Sequence, residues 1–253
     1  MADFLGDPQF PSKAFRTHSR ALKISYFQGL YQNYSRLRLT RAEDRPLAIA
    51  GLESRLLKAF GTKGGYGIFD DGPDGELFHR SLLWQRGSDV ESLKPITFGG
   101  SNIKVPTWSW MAYEGGIDYG DPPFGTTDWT ASEVQSPWES GHRLRAGSDP
   151  ENAGLALTAT VRDFDVAGRR GDEVRIVYDT KRSFLSAWRY GCVIIARSHD
   201  GMENRDKRHY VIVVLSTNVP SAREERSYRR AGVGYMLGKY ITLDSPGVVA
   251  RIH

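Results

Sequence analysis

The chain of 253 residues contains one cysteine, Cys192. No intrachain disulfide can form, which excludes a small stapled secreted scaffold and fits a reducing compartment. Long apolar runs are missing too. Nothing approaches the roughly 18–20 residues that cross a bilayer. The opening stretch MADFLGDPQFPSKAF has no apolar segment of signal-peptide length. These absences predict a cytoplasmic protein without a membrane partner. Metal-ligand spacing is absent as well. The histidines are His18, His79, His142, His199, His209 and His253, and none has a partner at i+4 or clusters with Cys192. No metal and no cofactor are expected.

Phosphate and dinucleotide signatures fail on spacing. The glycines of 61–67 lack the Gly-Lys-Ser/Thr ending of a P-loop. Gly232, Gly234 and Gly238 do not have G-x-G-x-x-G spacing and sit inside a β-like run. The acidic run 70–76 begins like a calcium loop. However, Gly72 stands at its third position and Ser81 replaces the closing glutamate. An acidic turn ahead of a helix explains it better. Net charge is +4, but bases alternate with acids, as in Arg223-Glu224-Glu225-Arg226. A nucleic-acid partner is not expected from so mixed a surface.

What is present is an ordinary globular composition, 40% hydrophobic and 25% charged. Residues 1–20 are polar, contain Pro8 and Pro11, and read as an arm. A single domain is expected over 21–253, helical in 21–95 and β-rich in 96–253. Leu22, Tyr26, Leu30 and Tyr34, widened by Phe27 and Tyr31, predict an amphipathic helix. Thr40, Glu43 and Asp44 predict the start of a second helix, with Pro46 tolerated in its first turn. Leu47, Ile49, Leu52, Leu56, Leu57 and Phe60 supply its apolar face, and Gly61 stops it. A short helix over 76–84 follows. Beyond residue 95 the tryptophan-rich stretch 105–113 reads as a strand, and 120–153 as a long surface excursion. Strand-like runs follow at 155–166, 174–179, 192–197, 210–215, 228–237 and 248–252. No helical pattern alternates with them, which argues against a parallel βαβ sheet. The fold class is therefore α+β: N-terminal helices packed on a mainly antiparallel sheet, a sandwich or an irregular barrel.

Chemistry-bearing residues are few. Cys192 precedes Val193, Ile194 and Ile195 and reads as a buried thiol. Asp163 and Asp165 alternate at a strand end and read as solvated. His79 lies on the short helix and reads first as a surface side chain. Trp108 and Trp110 are two apart, so on a strand they face one way. Together with Trp84, Tyr113 and Arg38 they are the candidate ligand-binding residues. They form either a structural hub or a pocket wall. An Arg38–Asp44 ion pair is expected to lock the joint between the first two helices.

Several segments in order resemble a known family. They are Tyr34-Ser35-Arg36-Leu37-Arg38-Leu39-Thr40, then Asp44, then Ala48-Ile49-Ala50-Gly51-Leu52. Gly67-Ile68-Phe69, Leu82-Leu83-Trp84 and Val105-Pro106-Thr107-Trp108-Ser109-Trp110 follow. The last is Tyr228-Arg229-Arg230-Ala231-Gly232-Val233-Gly234, close to a Tyr-x-Arg-x-Gly element. In sum the chain resembles fungal heterokaryon-incompatibility (HET-domain) proteins in the region after the HET domain. What the HET domain itself does is therefore not carried over. The resemblance implies a binding or regulatory module with a protein partner or a small organic molecule as ligand, and self-association as an option. The alternative is a stand-alone enzyme of fungal secondary metabolism, an isomerase, cyclase or hydrolase using an aromatic-lined pocket. In that case Asp44, His79 and Glu114 are the candidate acid or base residues and Arg38 the oxyanion stabiliser.

Overall fold

The computed structural model describes residues 19–72, 75–99, 104–138, 155–181, 190–217 and 226–253. Nearly all of the expected arm lies outside them. Ser19 and Arg20 belong to the first helix instead. Helix α1 (Arg20–Ser35) is capped by Ser19, whose hydroxyl accepts the Leu22 N–H at 3.4 Å. Its buried stripe is Ile24, Phe27, Tyr31 and Ser35. The expected stripe is rotated by a step, and Leu22 is 56% exposed. The aromatic pair decides the rotation, because Phe27 and Tyr31 pack on Phe69 at 4.7 and 5.9 Å between ring centres.

A 3-10 turn, Ala42–Asp44, leads into α2 (Arg45–Phe60), with Pro46 in its first turn. Gly61 ends it at φ 66°, a left-handed cap that costs glycine little. Ile49 and Leu56 face inward, whereas Leu47 is exposed. Next comes a hairpin of β1 (Lys63–Gly65) and β2 (Ile68–Asp70). Its two-residue loop has Tyr66 at φ 55° and Gly67 at φ 80°, as a type I′ turn requires. Helix α3 (Glu76–Leu82) is nucleated by Asp71, whose carboxylate accepts the Leu77 and Phe78 N–H groups. Two short ladders complete this half. They pair β3 (Trp84–Arg86) with β6 (Ile117–Tyr119), and β4 (Lys94–Pro95) with β5 (Tyr113–Glu114).

The main sheet runs β7-β11-β12-β13-β14-β9-β8, with β10 also on β13. Its members are β7 (Thr127–Trp129), β8 (Val134–Gln135), β9 (Leu157–Val161), β10 (Val174–Tyr178), β11 (Tyr190–Ser198), β12 (Arg208–Ser216), β13 (Ser227–Leu237) and β14 (Val248–Ile252). Every strand-like run of the sequence supplies one of the long strands. Pairing is antiparallel throughout except for the short β13–β14 contact. Beyond β9, Arg162 exchanges both main-chain hydrogen bonds with Cys192 of β11 at 2.9 Å. The ladder β11-β12-β13-β14-β9 thus returns to β11, and five strands close into an irregular barrel. The fold is α+β.

Alternation along the strands sorts the side chains into two sets. Val193, Ile195, Ile212, Val214, Leu157 and Ile252 fill one cluster. Cys192, Ile194, Val211, Val213 and Met236 form another on the opposite face, covered by Val174, Ile176 and Tyr240. With both faces buried, these strands read as continuous apolar runs. A third, aromatic cluster holds the helices together and includes Phe27, Tyr31, Phe69, Trp84, Trp110 and Tyr113.

Two expectations fail here. Residues 105–113 are not a strand, since a turn at Thr107–Trp108 enters a 3-10 segment, Trp110–Ala112, capped by the Ser109 hydroxyl on the Met111 N–H. Trp108 and Trp110 therefore point into different clusters, Trp108 toward the barrel and Trp110 toward the helices. The described part of the 120–153 excursion is not peripheral either. It contributes β7 and β8, and Val134 is buried.

Candidate binding pocket where the two halves meet

The halves are joined by one buried guanidinium of the barrel, Arg230, which a carboxylate of the same half holds in place. Arg230 and Asp179 have fully buried side chains, with Arg230 Nε donating to Asp179 Oδ2 at 3.0 Å. The same guanidinium donates to the Leu82 carbonyl at 2.7 Å and to the Trp84 carbonyl. It also lies 3.4 Å from the Trp84 ring centre. The Arg230 N–H donates to Thr107 Oγ1 at 3.1 Å. Trp84 in turn donates its indole N–H to the Trp108 carbonyl at 2.8 Å. One arginine of the barrel thus holds α3, β3 and the Trp108 turn together. Burial raises the Asp179 pKa, and the attraction of Arg230 opposes it. The sequence carried a signal for this residue in the Tyr228-x-Arg230-x-Gly232 pattern. Nothing pointed to Asp179, which lies 51 positions away.

Over this pair opens a pocket of about 310 Å³. Register fixes one wall. Tyr190, Leu215 and Arg229 are directly paired across β11, β12 and β13, so they stand side by side on one face. Tyr178, Asp179, Thr180 and Lys181 at the end of β10 form a second wall. Ile96, Ala112 and Tyr113 of the helical half form the third. Gly232 and Gly234 have no side chains because β10 lies against them. A Cβ on either would sit 2.6 or 1.9 Å from a β10 carbonyl.

The expected site residues separate into three groups. Tyr113 lines the pocket, and burial pushes its hydroxyl well above the ordinary tyrosine range. Trp84, Trp108 and Trp110 have no exposed surface. They form the hub beneath and beside the pocket rather than its wall. Arg38, Asp44 and Glu114 are exposed. No ion pair joins Arg38 to Asp44 among the described residues; Arg45 ties the two helices instead, while Arg36 ties the end of α1 to β6. Arg36 bonds Asp89 and Asp118 at 2.8 Å and the Ile117 carbonyl at 2.6 Å. Buried Arg45 bonds the Ser35 carbonyl at 3.2 Å. Sequence proximity suggested the wrong arginine, because the 3-10 turn carries Asp44 to the surface.

His79 is not a surface side chain; it is 1% exposed. Its Nδ1 meets the Gly75 carbonyl at 3.2 Å and its ring leans on Trp129. Burial lowers its pKa, against the pull of the Gly75 carbonyl and Asp71. Of the three candidate acid–base residues, His79 is buried while Asp44 and Glu114 are exposed.

Cys192 is buried, and desolvation pushes its thiol up to about 12, so it is a packing group. Asp163 and Asp165 are exposed, with Asp165 closing a turn on the Ala167 N–H at 2.8 Å. Among the described residues there is no cluster of three or more His, Cys, Asp or Glu that would hold a metal ion. None of their helices is long and apolar enough to cross a membrane.

Comparison with protein-family models, with curated proteins and with solved structures finds no match in any of the three.

Proposed function

We propose that the chain is a binding module whose pocket between barrel and helices receives a small organic molecule, and that its regulatory setting is that of HET-type incompatibility proteins. The observation that carries the binding reading is the division of labour at the junction. The charged pair beneath the pocket is consumed by mutual and main-chain hydrogen bonds, while the walls above it are mainly aromatic and aliphatic, with Lys181 and Arg229 at their ends. Such a cavity is shaped for occupancy, and the one carboxylate that lines it among the described residues, Asp179, is held by Arg230 rather than aimed at a ligand.

The HET-type setting draws support from where the resembling segments lie. Tyr34 meets Trp110 edge to face at 6.1 Å between ring centres. Gly67 abuts Trp110, and Ser109 donates to the Tyr66 carbonyl at 2.7 Å. Leu82, Trp84 and Thr107 meet Arg230. Segments scattered over nearly two hundred positions thus touch one another in one hub.

The test is a metabolite panel read by thermal shift on the wild-type chain and on Ile96→Trp, which fills the pocket. A compound that raises Tm only in the wild type, and is recovered unchanged, is the expected result. A compound that is turned over by the wild type and not by Ile96→Trp sinks the binding reading in favour of an enzyme.

A further inference from the structure

The walls of the pocket limit the chemistry of its occupant, on the premise that the binding reading holds. Tyr113, Tyr178 and Tyr190 are joined by Phe98, Ile96 and Leu215, so the body of the ligand meets rings and aliphatic carbon. Tyr178 and Tyr190 stand edge to face, 5.9 Å apart at 72°. Aromatic walls also suit cations, so charge has to decide. Among the described residues, four charged side chains line the pocket: Asp179, Arg230, Lys181 and Arg229. The first two cancel in the buried pair. The remaining two are both positive.

Their placement differs from that of the buried pair. Arg229 is exposed and shares a sheet face with Leu215 and Tyr190. Lys181 follows β10 on the opposite wall, with its side chain 76% exposed. Its ion pair with Glu91 spans 3.3 Å, and the Glu91 side chain is 87% exposed. A pair so open to water has a small net strength and exchanges easily for another anion.

We propose that the pocket binds an organic anion, with an apolar body packed against the tyrosine rings and a carboxylate, sulfonate or phosphate held between Lys181 and Arg229. The apolar body supplies most of the affinity by burial, and the two mouth cations set the sign of charge accepted.

Two fluorescent probes of nearly equal ring system test this on the full chain: anilinonaphthalene sulfonate, an anion, and phenylnaphthylamine, which is neutral. Lys181→Glu/Arg229→Glu reverses the mouth. The expected result is about a tenfold loss of affinity for the anion and a change of less than about twofold for the neutral probe. Ile96→Trp and Val105→Trp each fill the pocket and are expected to remove both probes, with circular dichroism and Tm verifying the fold of each. If the filled variants lose both probes but the reversed mouth still binds the anion as the wild type does, the anion inference is overturned and the binding reading survives. If folded pocket-filled variants bind both probes unchanged, the pocket is not a binding site, and both fall together.

Discussion

The barrel and the helical half achieve burial in different ways. The barrel core is largely aliphatic and ordered by register, as in Val193, Ile195, Ile212 and Val214 on adjacent strands. The helical core is aromatic. Phe27, Tyr31, Phe60, Phe69 and Trp110 contact one another at ring separations of 4.7 to 6.0 Å. A sheet repeats one geometry, so its core follows from alternation and needs few polar ties. Two helices of sixteen residues with short ladders repeat nothing. Their positions depend on particular rings and on particular arginines, namely Arg36, Arg45 and Arg230. Here the barrel is the scaffold, and the helical half is fitted onto it by the buried Arg230 guanidinium together with bonds such as Leu93 N–H to the Asp179 carbonyl at 2.9 Å.

The largest break is expected at that guanidinium. Arg230→Met leaves Asp179 buried and unpaired and should cost about 3–5 kcal/mol in urea unfolding. Arg230→Met/Asp179→Leu should recover part of the loss. The recovery stays incomplete because the Leu82 and Trp84 carbonyls lose their donor. A double variant no more stable than the single one would mean that the unpaired Asp179 carboxylate is not a source of the loss.

Gly67→Ala comes next. Its φ of 80° and a Cβ placed 2.2 Å from Trp110 Nε1 combine strain with a clash inside the aromatic core. A loss of more than about 1 kcal/mol is expected. The barrel offers a contrast at Gly191, where φ is not left-handed and a Cβ meets the side-chain tip of Val161. Gly191→Ala should therefore cost less.

Acid titration sets two buried groups, one from each half, against each other by sign. In the helical half, burial raises Asp121 to about 6, against hydrogen bonds from Gln28 and Arg80. A carboxyl with a folded pKa above its ordinary 3.8 contributes stability that is full below about 3.8 and lost as pH rises through about 6. In the barrel, burial lowers His209 to about 4. Its contribution is full above 6.5 and lost as pH falls through about 4. The two slopes oppose each other across the same window. His209→Gln should leave a stability that falls from pH 4 to 6, and Asp121→Asn one that rises, both measured by denaturant midpoints. Slopes of the same sign in the two variants would refute the assignment.

The smallest effect is expected where the sequence placed a lock and the structure does not. Arg38→Ala and Asp44→Ala should each change stability by no more than about 0.5 kcal/mol. Arg36→Ala, which cuts ties to Asp89, Asp118 and Ile117, should cost more than either.

Much of the barrel was legible. The runs around Ile194, Ile212 and Val233 announce strands because alternation and turn residues act within one element. The second helix was legible for the same reason, since Pro46 and Gly61 mark its ends locally. The candidate site was much less so. Tyr113 was singled out, but Lys181, Arg229 and Tyr190 were not, because each is unremarkable until sheet register sets it beside the others. The hub was anticipated at Trp84, Trp108 and Trp110, yet with both later tryptophans on one face. A 3-10 turn capped by Ser109 sends them apart, and a spacing of two residues does not distinguish that turn from a strand.

Residue order, with its periods and breakers, was enough to specify the two long helices and the long strands and to make both faces of the central strands apolar. Tertiary packing decided which side of α1 turns inward, whether His79 is dry, and which carboxylate receives Arg230. It also decided that residues from Pro95 to Ala231 share one pocket. The reason is range. Hydrogen bonding and alternation couple neighbours a few positions apart, whereas these outcomes depend on ladders and ring contacts that exist only once the barrel has closed.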